Sequence, residues 1–287
     1  IYILKSVKNN IEIKNMINAH IIDGVALTKF IYWIKNLRKL SITEVDAQNK
    51  LEKIRRMSPK YLFPSFNTIA GSGKNGAIVH YRATKNNTKL LKRNEIFLCD
   101  SGGQYKFGTT DVTRTICFGN QNKNIKKIFT NVLKGHIAVA QTDLNKKKTG
   151  KLIDKDARKF LKKNRLDYNH GTGHGVGFFL NVHEGPQAIS KSNSVKIQKG
   201  MILSNEPGYY KKDKFGIRIE NLVYVKKIGR RLGFENLTLA PIEKELINFN
   251  LLTKQEKNYL FNYHLKVYSK ISPFLNRNEK KWLASFI

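Results

Sequence analysis

Apolar residues near the start of the chain recur at Ile11, Ile13, Met16, Ile17, Ile21, Val25, Leu27, Phe30, Ile31, Trp33 and Ile34. Steps of three and four gather them on one broad face, so the spacing predicts a helix over about 10–36. Ser41-Ile42-Thr43-Glu44 has capping-box spacing and predicts a second helix reaching about Met57. The period then changes. Ile96-Phe97-Leu98-Cys99-Asp100 is an apolar run, Ser101-Gly102-Gly103 turns the chain, and Val112-Thr113-Arg114-Thr115 leaves it, which predicts two antiparallel strands of one hairpin. Helical spacing returns over about 126–142 and 152–163. Met201-Ile202-Leu203-Ser204-Asn205 and Gly216-Ile217-Arg218-Ile219-Glu220-Asn221-Leu222-Val223-Tyr224-Val225 then predict a second strand pair around Pro207-Gly208. Beyond Pro241, Thr253-Lys254-Gln255-Glu256 has capping-box spacing before a stripe of Tyr259, Leu260, Tyr263 and Val267. A last helix over about 278–286 carries Trp282, Leu283 and Phe286.

The order helix, helix, strands, helix, helix, strands describes two α/β halves facing one another, followed by a helical tail. A chain of 287 residues, 40% hydrophobic, can bury one sizeable core or a core with an appendage. No apolar stretch reaches the ~18 residues of a membrane span, so no membrane partner is expected. The net charge of +32 would ordinarily point to nucleic acid. Its lysines are scattered among Asn and Ile, however, as in Lys123-Asn124-Ile125-Lys126-Lys127, without a basic tail, zinc finger or RNP-type motif. A compositional drift accounts for the charge, and no specific nucleic-acid partner is expected. Two cysteines, Cys99 and Cys117, are too few for a disulfide framework and read as small core residues, which fits a reducing cytoplasmic location. The opening Ile1-Tyr2-Ile3-Leu4-Lys5 has neither an initiator Met nor a signal-peptide cleavage site, and reads as an internal boundary of a longer polypeptide.

With only 21 acidic residues against 53 basic ones, the placement of the acids carries information. Asp100 ends one predicted strand and Asp111 opens the next. Glu206 and Glu220 repeat the device in the second half. Between them lie His170-Gly171-Thr172-Gly173-His174-Gly175 and then Asn181-Val182-His183-Glu184-Gly185-Pro186. Hard oxygen ligands with one imidazole suit Mn, Mg, or a tolerant Zn, Co or Fe site. Carboxylates can bridge, so Asp100, Asp111, His174, Glu206 and Glu220 could hold two divalent ions about 3.5–4 Å apart.

At these motifs the chain resembles the aminopeptidase P (Xaa-Pro aminopeptidase) group. Asp100-Ser101-Gly102-Gly103-Gln104-Tyr105, His170-Gly171-Thr172-Gly173-His174-Gly175-Val176-Gly177 and Asn205-Glu206-Pro207-Gly208-Tyr209-Tyr210 are most similar to its long, multidomain branch. The resemblance implies an α+β pita-bread fold, shared with creatinase, prolidase and methionine aminopeptidase, over 1–245. It also implies a C-terminal helical extension over 246–287, and a chain without the family's N-terminal creatinase-like domains.

Carried over by position, Asp100 chelates one metal ion, Asp111 and Glu220 bridge both, and His174 and Glu206 bind the other, with manganese the expected metal. Glu206 also serves as general base. His183 donates to the scissile carbonyl, His80 is a second substrate-side histidine, and His170, Tyr210 and Arg218 lie near the proline subsite. Phe107 stands where relatives usually carry Asp, a change expected to alter turn hydrogen bonding rather than metal binding. The activity implied is removal of the N-terminal residue from peptides with proline second, by a homodimer. The alternatives are an Xaa-Pro dipeptidase and a non-catalytic pita-bread module binding nucleic acid or histones.

Overall fold

The computed structural model describes residues 1–287. A short helix α1 (Tyr2–Ser6) precedes α2 (Asn10–Lys35), whose start is fixed by a capping box between Asn9 and Glu12. Helix α3 (Glu44–Arg55) begins two residues later than expected. Its capping pair is Thr43 and Asp46, not Ser41 and Glu44. Glu44 is instead fully buried, where it accepts from Ser72 N, Lys89 N, Asn75 Nδ2 and Tyr81 O–H. A carboxylate meeting that many donors is compensated inside the protein, so it leaves the capping role to Asp46.

Six strands follow: β1 (Tyr61–Pro64), β2 (Ile69–Ser72), β3 (Ile96–Ser101), β4 (Gly103–Tyr105), β5 (Gly108–Thr109) and β6 (Val112–Cys117). β2, β3 and β6 form an antiparallel sheet with β3 central, and Asp100 pairs with Ile69 on one side and Thr113 on the other. The predicted hairpin is therefore real, but it is not closed by a simple turn. Between its strands β4 and β5 make an excursion that pairs with β1. Gly102 permits the sharp departure, since a Cβ there would stand 2.0 Å from Thr110 O and 2.2 Å from Ser65 Oγ. Phe107, at the tip, packs against Ala19, Tyr61 and Tyr105 instead of making polar turn contacts. Leu27, Phe30, Ile34 and Leu51 of α2 and α3 cover the sheet through Phe97, Cys99, Val112 and Ile116.

Helices α4 (Lys123–Ala140) and α5 (Gly150–Lys162) lead into the second half. Its strands are β7 (Gly173–His174), β8 (Ala188–Ile189), β9 (Ile202–Asn205), β10 (Gly208–Lys211), β11 (Phe215–Arg218), β12 (Asn221–Ile228) and β13 (Arg231–Asn236). β9 pairs with β12 and β12 with β13, while β10 and β11 form an excursion placed as β4 and β5 are in the first half. The run from Gly216 to Val225, expected as one strand, is broken at Ile219-Glu220. There Ile219 N donates to Pro207 O and Glu220 N to Thr113 O, so the backbone leaves one sheet and ties itself to the first half before β12 begins. Val139, Ile153 and Ala157 of α4 and α5 pack on Met201, Leu203, Val223 and Val225, which completes a second helix-pair-and-sheet unit.

Helices α6 (Lys254–Ile271) and α7 (Arg277–Ala284) both open with complete capping boxes, Thr253 with Glu256 and Asn276 with Glu279. Leu260, Tyr263, Val267, Ile271 and Leu283 join Ile128, Phe129, Ile217 and Ile219 in the largest apolar cluster, so this segment packs directly on the two halves. Cys99 and Cys117 are buried free thiols. No helix is long and apolar enough to cross a membrane.

Candidate metal centre

The equivalent strand ends of the two halves meet in a cleft of about 520 Å³. Asp100 is contributed by β3, Asp111 by the residue before β6, Glu206 by the residue after β9, and Glu220 by the link into β12. His174 ends β7, which lies alongside β9: Glu206 N donates to Thr172 O and Val176 N to Ile202 O. Gly173 makes that approach possible, because a Cβ would meet Ser204 O at 1.9 Å. Carboxylate or imidazole atoms of Asp111, His174 and Glu220 all lie within 4.8 Å of one another. His174 Nε2 stands 3.4 Å from Asp111 Oδ2 and 3.4 Å from Glu206 Oε1. His80, His170, His183 and Arg218 line the same cleft.

The protein's own charges leave this cluster in need of a cation. Burial pushes Asp111 up to about 6, against the hydrogen bond from His174. Burial, and then the charges of Asp111, Glu206 and Asp100, push Glu220 well above the usual carboxylate range. Burial opposes charge on His174, but Asp111 and Glu206 outweigh it and raise the ring to about 9. His174 Nδ1 is 3.0 Å from Gly175 O, which fixes its proton there and turns the Nε2 lone pair of the neutral ring toward two carboxylates. Such a face is stable only with a proton or a metal ion on it. Asp100 Oδ1 is buried without a hydrogen-bond partner, a second acceptor aimed at nothing in the chain. Four carboxylates and one imidazole with a carbonyl-fixed tautomer fit hard divalent ions.

Tyr210 alone of the expected site residues lies behind the cleft wall. His170 Nδ1 donates to Gly171 O at 2.7 Å, so its Nε2 accepts from the Tyr210 hydroxyl at 2.9 Å. That oxygen in turn accepts from Arg218 Nη1 at 2.6 Å. Burial lowers the His170 pKa and raises that of Tyr210 to about 12, so both are neutral near pH 7. Arg218 is already committed: Nη2 reaches Asp100 Oδ2 at 2.5 Å and Nε reaches Thr113 Oγ1 at 3.1 Å. Burial opposes its charge, yet the Tyr210 oxygen that accepts from it and the charges of Asp100 and Glu206 hold it protonated.

Two hydroxyls not anticipated from the sequence complete the centre. Thr113 Oγ1 donates to Glu220 Oε2 at 2.7 Å, and Ser204 Oγ donates to Glu206 Oε1 at 2.9 Å. The one available signal is their place on the strands next to the clustered carboxylates, Thr113 two residues after Asp111 and Ser204 two before Glu206. Burial, and next the charge on His174, push the His183 pKa down; the two rings meet edge-on with centroids 4.1 Å apart.

Comparison with known proteins agrees with this geometry. Residues 14–227 match the profile of metallopeptidase family M24, and residues 230–285 match the C-terminal region of peptidase M24. A probable Xaa-Pro aminopeptidase P of Laccaria bicolor is 44% identical over 98% of this chain and 46% of its own length. An uncharacterised peptidase of Schizosaccharomyces pombe is 45% identical over 98% of this chain and 49% of its own. The X-prolyl aminopeptidase of Caenorhabditis elegans, described as a cytosolic enzyme with a di-nuclear active site, superposes with a TM-score of 0.92 at 36% identity, covering 98% of this chain and 48% of that one. The chain spans about half the length of the curated relatives it matches. Fold, clustered carboxylates and sequence match lead to one conclusion: the chain belongs to metallopeptidase family M24.

Proposed function

We propose that this chain is the catalytic portion of an Xaa-Pro aminopeptidase, which releases the N-terminal residue from peptides with proline in second position. The observation that carries the proposal is the convergence of Asp100, Asp111, His174, Glu206 and Glu220 in one cleft with three further histidines. Two divalent ions, manganese in the first instance, would be held by those five residues, with Asp111 and Glu220 shared. When bound, such ions polarise a carbonyl and lower the pKa of water. Arg218 beside Asp100 reduces the charge of the four carboxylates to −3. Two dications therefore leave the centre one positive charge in excess, which favours an anionic ligand.

The residues of the chain do the rest. Glu206, with Oε1 held by Ser204, takes the proton of the attacking water and returns it to the proline nitrogen as the bond breaks. His183, kept neutral beside His174, donates its N–H to the carbonyl oxygen as charge develops there. His80 lies on the same cleft wall and contacts the peptide beyond the scissile bond. His170, with Tyr210 behind it, forms a neutral wall for the proline ring. Proline lacks an amide N–H and fixes its own backbone angle, so a site that asks for no donor at that position prefers it over alanine. The homodimer, the division near residue 245 and the cytoplasmic setting belong to the same proposal. The division is supported by the change from strands to helices after β13, and the cytoplasmic setting by the two free cysteines and the cytosolic description of the C. elegans enzyme; the homodimer rests on the family resemblance.

The test is incubation of manganese-loaded protein with an Xaa-Pro-Yaa tripeptide, an Xaa-Ala-Yaa control and an Xaa-Pro dipeptide. Release of the first residue from the proline tripeptide at a rate well above the alanine control is expected. Equal turnover of both tripeptides contradicts the specificity, and turnover of the dipeptide alone favours a prolidase.

A further inference from the structure

Arg114 is 2% exposed, and the oxygens around its guanidinium carry no formal charge. Nη1 donates to Thr113 O at 2.9 Å and Glu220 O at 2.6 Å. Nη2 donates to Asn221 Oδ1 at 2.8 Å, Ala240 O at 2.9 Å and the Tyr263 hydroxyl at 3.0 Å, and Nε donates to Pro241 O at 2.9 Å. Burial depresses its pKa, but a guanidinium stays charged at any physiological pH. A buried charge without a counter-ion is expensive, and only this complete set of acceptors makes it tolerable. One side chain thereby joins four parts of the chain: β6, the link into β12, the segment after β13, and α6.

Two of those parts are the ones that place a carboxylate. Glu220 is held from the first half by its own N–H on Thr113 O at 3.1 Å and by the Thr113 hydroxyl on Oε2. Arg114 bonds the carbonyl of each of these two residues, and so closes a ring around the only direct backbone tie between Asp111's strand and Glu220. Tyr263 anchors that ring to α6, since its hydroxyl accepts from Arg114 and donates to Ala240 O at 2.8 Å.

We propose that Arg114 is a positioning residue of the metal centre, which couples α6 through Tyr263 to Glu220 and fixes the spacing between the Asp111 and Glu220 carboxylates. The C-terminal segment is then part of the ion-binding apparatus as well as of the core. The proposal rests on the metal-centre reading above.

The test uses the full chain with Arg114→Lys and Tyr263→Phe. Lysine keeps the charge but has three donors and no planar fork. Phenylalanine removes one oxygen and keeps the ring. Mn(II) binding is followed by equilibrium dialysis and the site's symmetry by the Co(II) absorption spectrum. Both variants should bind one ion about 10- to 100-fold more weakly, with a changed Co(II) spectrum, as removal of a partner behind a ligand typically does. Asn276→Ala, which loosens the start of α7 without touching this network, should leave both readouts unchanged. Should Arg114→Lys not fold, Tyr263→Phe decides alone. Two ions bound at wild-type affinity in the variants would overturn the proposal, as would an equal loss in Asn276→Ala. A wild-type chain that binds no ion at all would instead sink the metal-centre reading, before any variant is compared.

Discussion

Removing the ions should make the protein's stability fall as pH rises. Without a cation, Asp111 has its pKa raised from 3.8 to about 6 and His174 from 6.5 to about 9. A carboxyl whose folded pKa is raised holds extra protons in the native state between those two values, so stability declines as pH climbs through that window. A histidine raised by its partners contributes fully below its unfolded pKa, and the contribution is lost as pH passes the folded one. Both signs agree. At about 1.4 kcal/mol per pH unit, each shift corresponds to about 3 kcal/mol. The two groups face each other and share one contact, so the joint loss is on the order of 3–5 kcal/mol rather than their sum. For a domain of this size that is a fall in Tm of roughly 10 °C. Ion binding reverses the trend, because the ligands must be deprotonated and ions compete with protons. The assay is scanning calorimetry of chelator-treated and Mn(II)-reloaded protein from pH 5 to 8.5. The gap between loaded and stripped Tm should widen steadily with pH; a flat or narrowing gap would refute the electrostatic argument.

Other outcomes follow from single side chains. His183→Ala should reduce kcat for an Xaa-Pro tripeptide by about 10²–10³, the usual loss of one donor to a developing oxyanion, with ion content unchanged by metal analysis. Thr113→Val removes the 2.7 Å donor to Glu220 and leaves Arg218 Nε without an acceptor. A bond to a charged group is worth about 1.5–3 kcal/mol, so ion affinity measured by titration should fall about 10- to 100-fold. Gly102→Ala sets a Cβ 2.0 Å from Thr110 O, between Asp100 and Asp111. It should lower stability in urea by about 1–3 kcal/mol and weaken ion binding together.

The features legible in the sequence were those written in local residue order. Helices α2 and α4 to α7 lie within three residues of their expected starts, because apolar spacing and capping residues are short-range signals. The five residues that converge in the cleft were legible for the same reason, each standing inside a motif that combines a strand end with glycines. What escaped depends on partners far along the chain. The break at Ile219-Glu220 is made by a hydrogen bond to Thr113, and nothing in the β-rich run around it announces that bond. Thr113 and Ser204 read as ordinary strand residues until their hydroxyls are seen on carboxylates. Glu44 looked like a cap because its four donors come from positions 72 to 89. Arg218, placed by resemblance near the proline subsite, is occupied by Asp100, Thr113 and Tyr210, which only the folded geometry reveals.

The central claim, that the two halves of the chain build one dinuclear site, is tested most directly by anomalous scattering from crystals grown with Mn(II). Two manganese peaks are predicted, both contacted by Asp111 and Glu220, one also by Asp100 and the other by His174 and Glu206. A single peak at saturating manganese, or two peaks that do not share Asp111 and Glu220, would contradict the account.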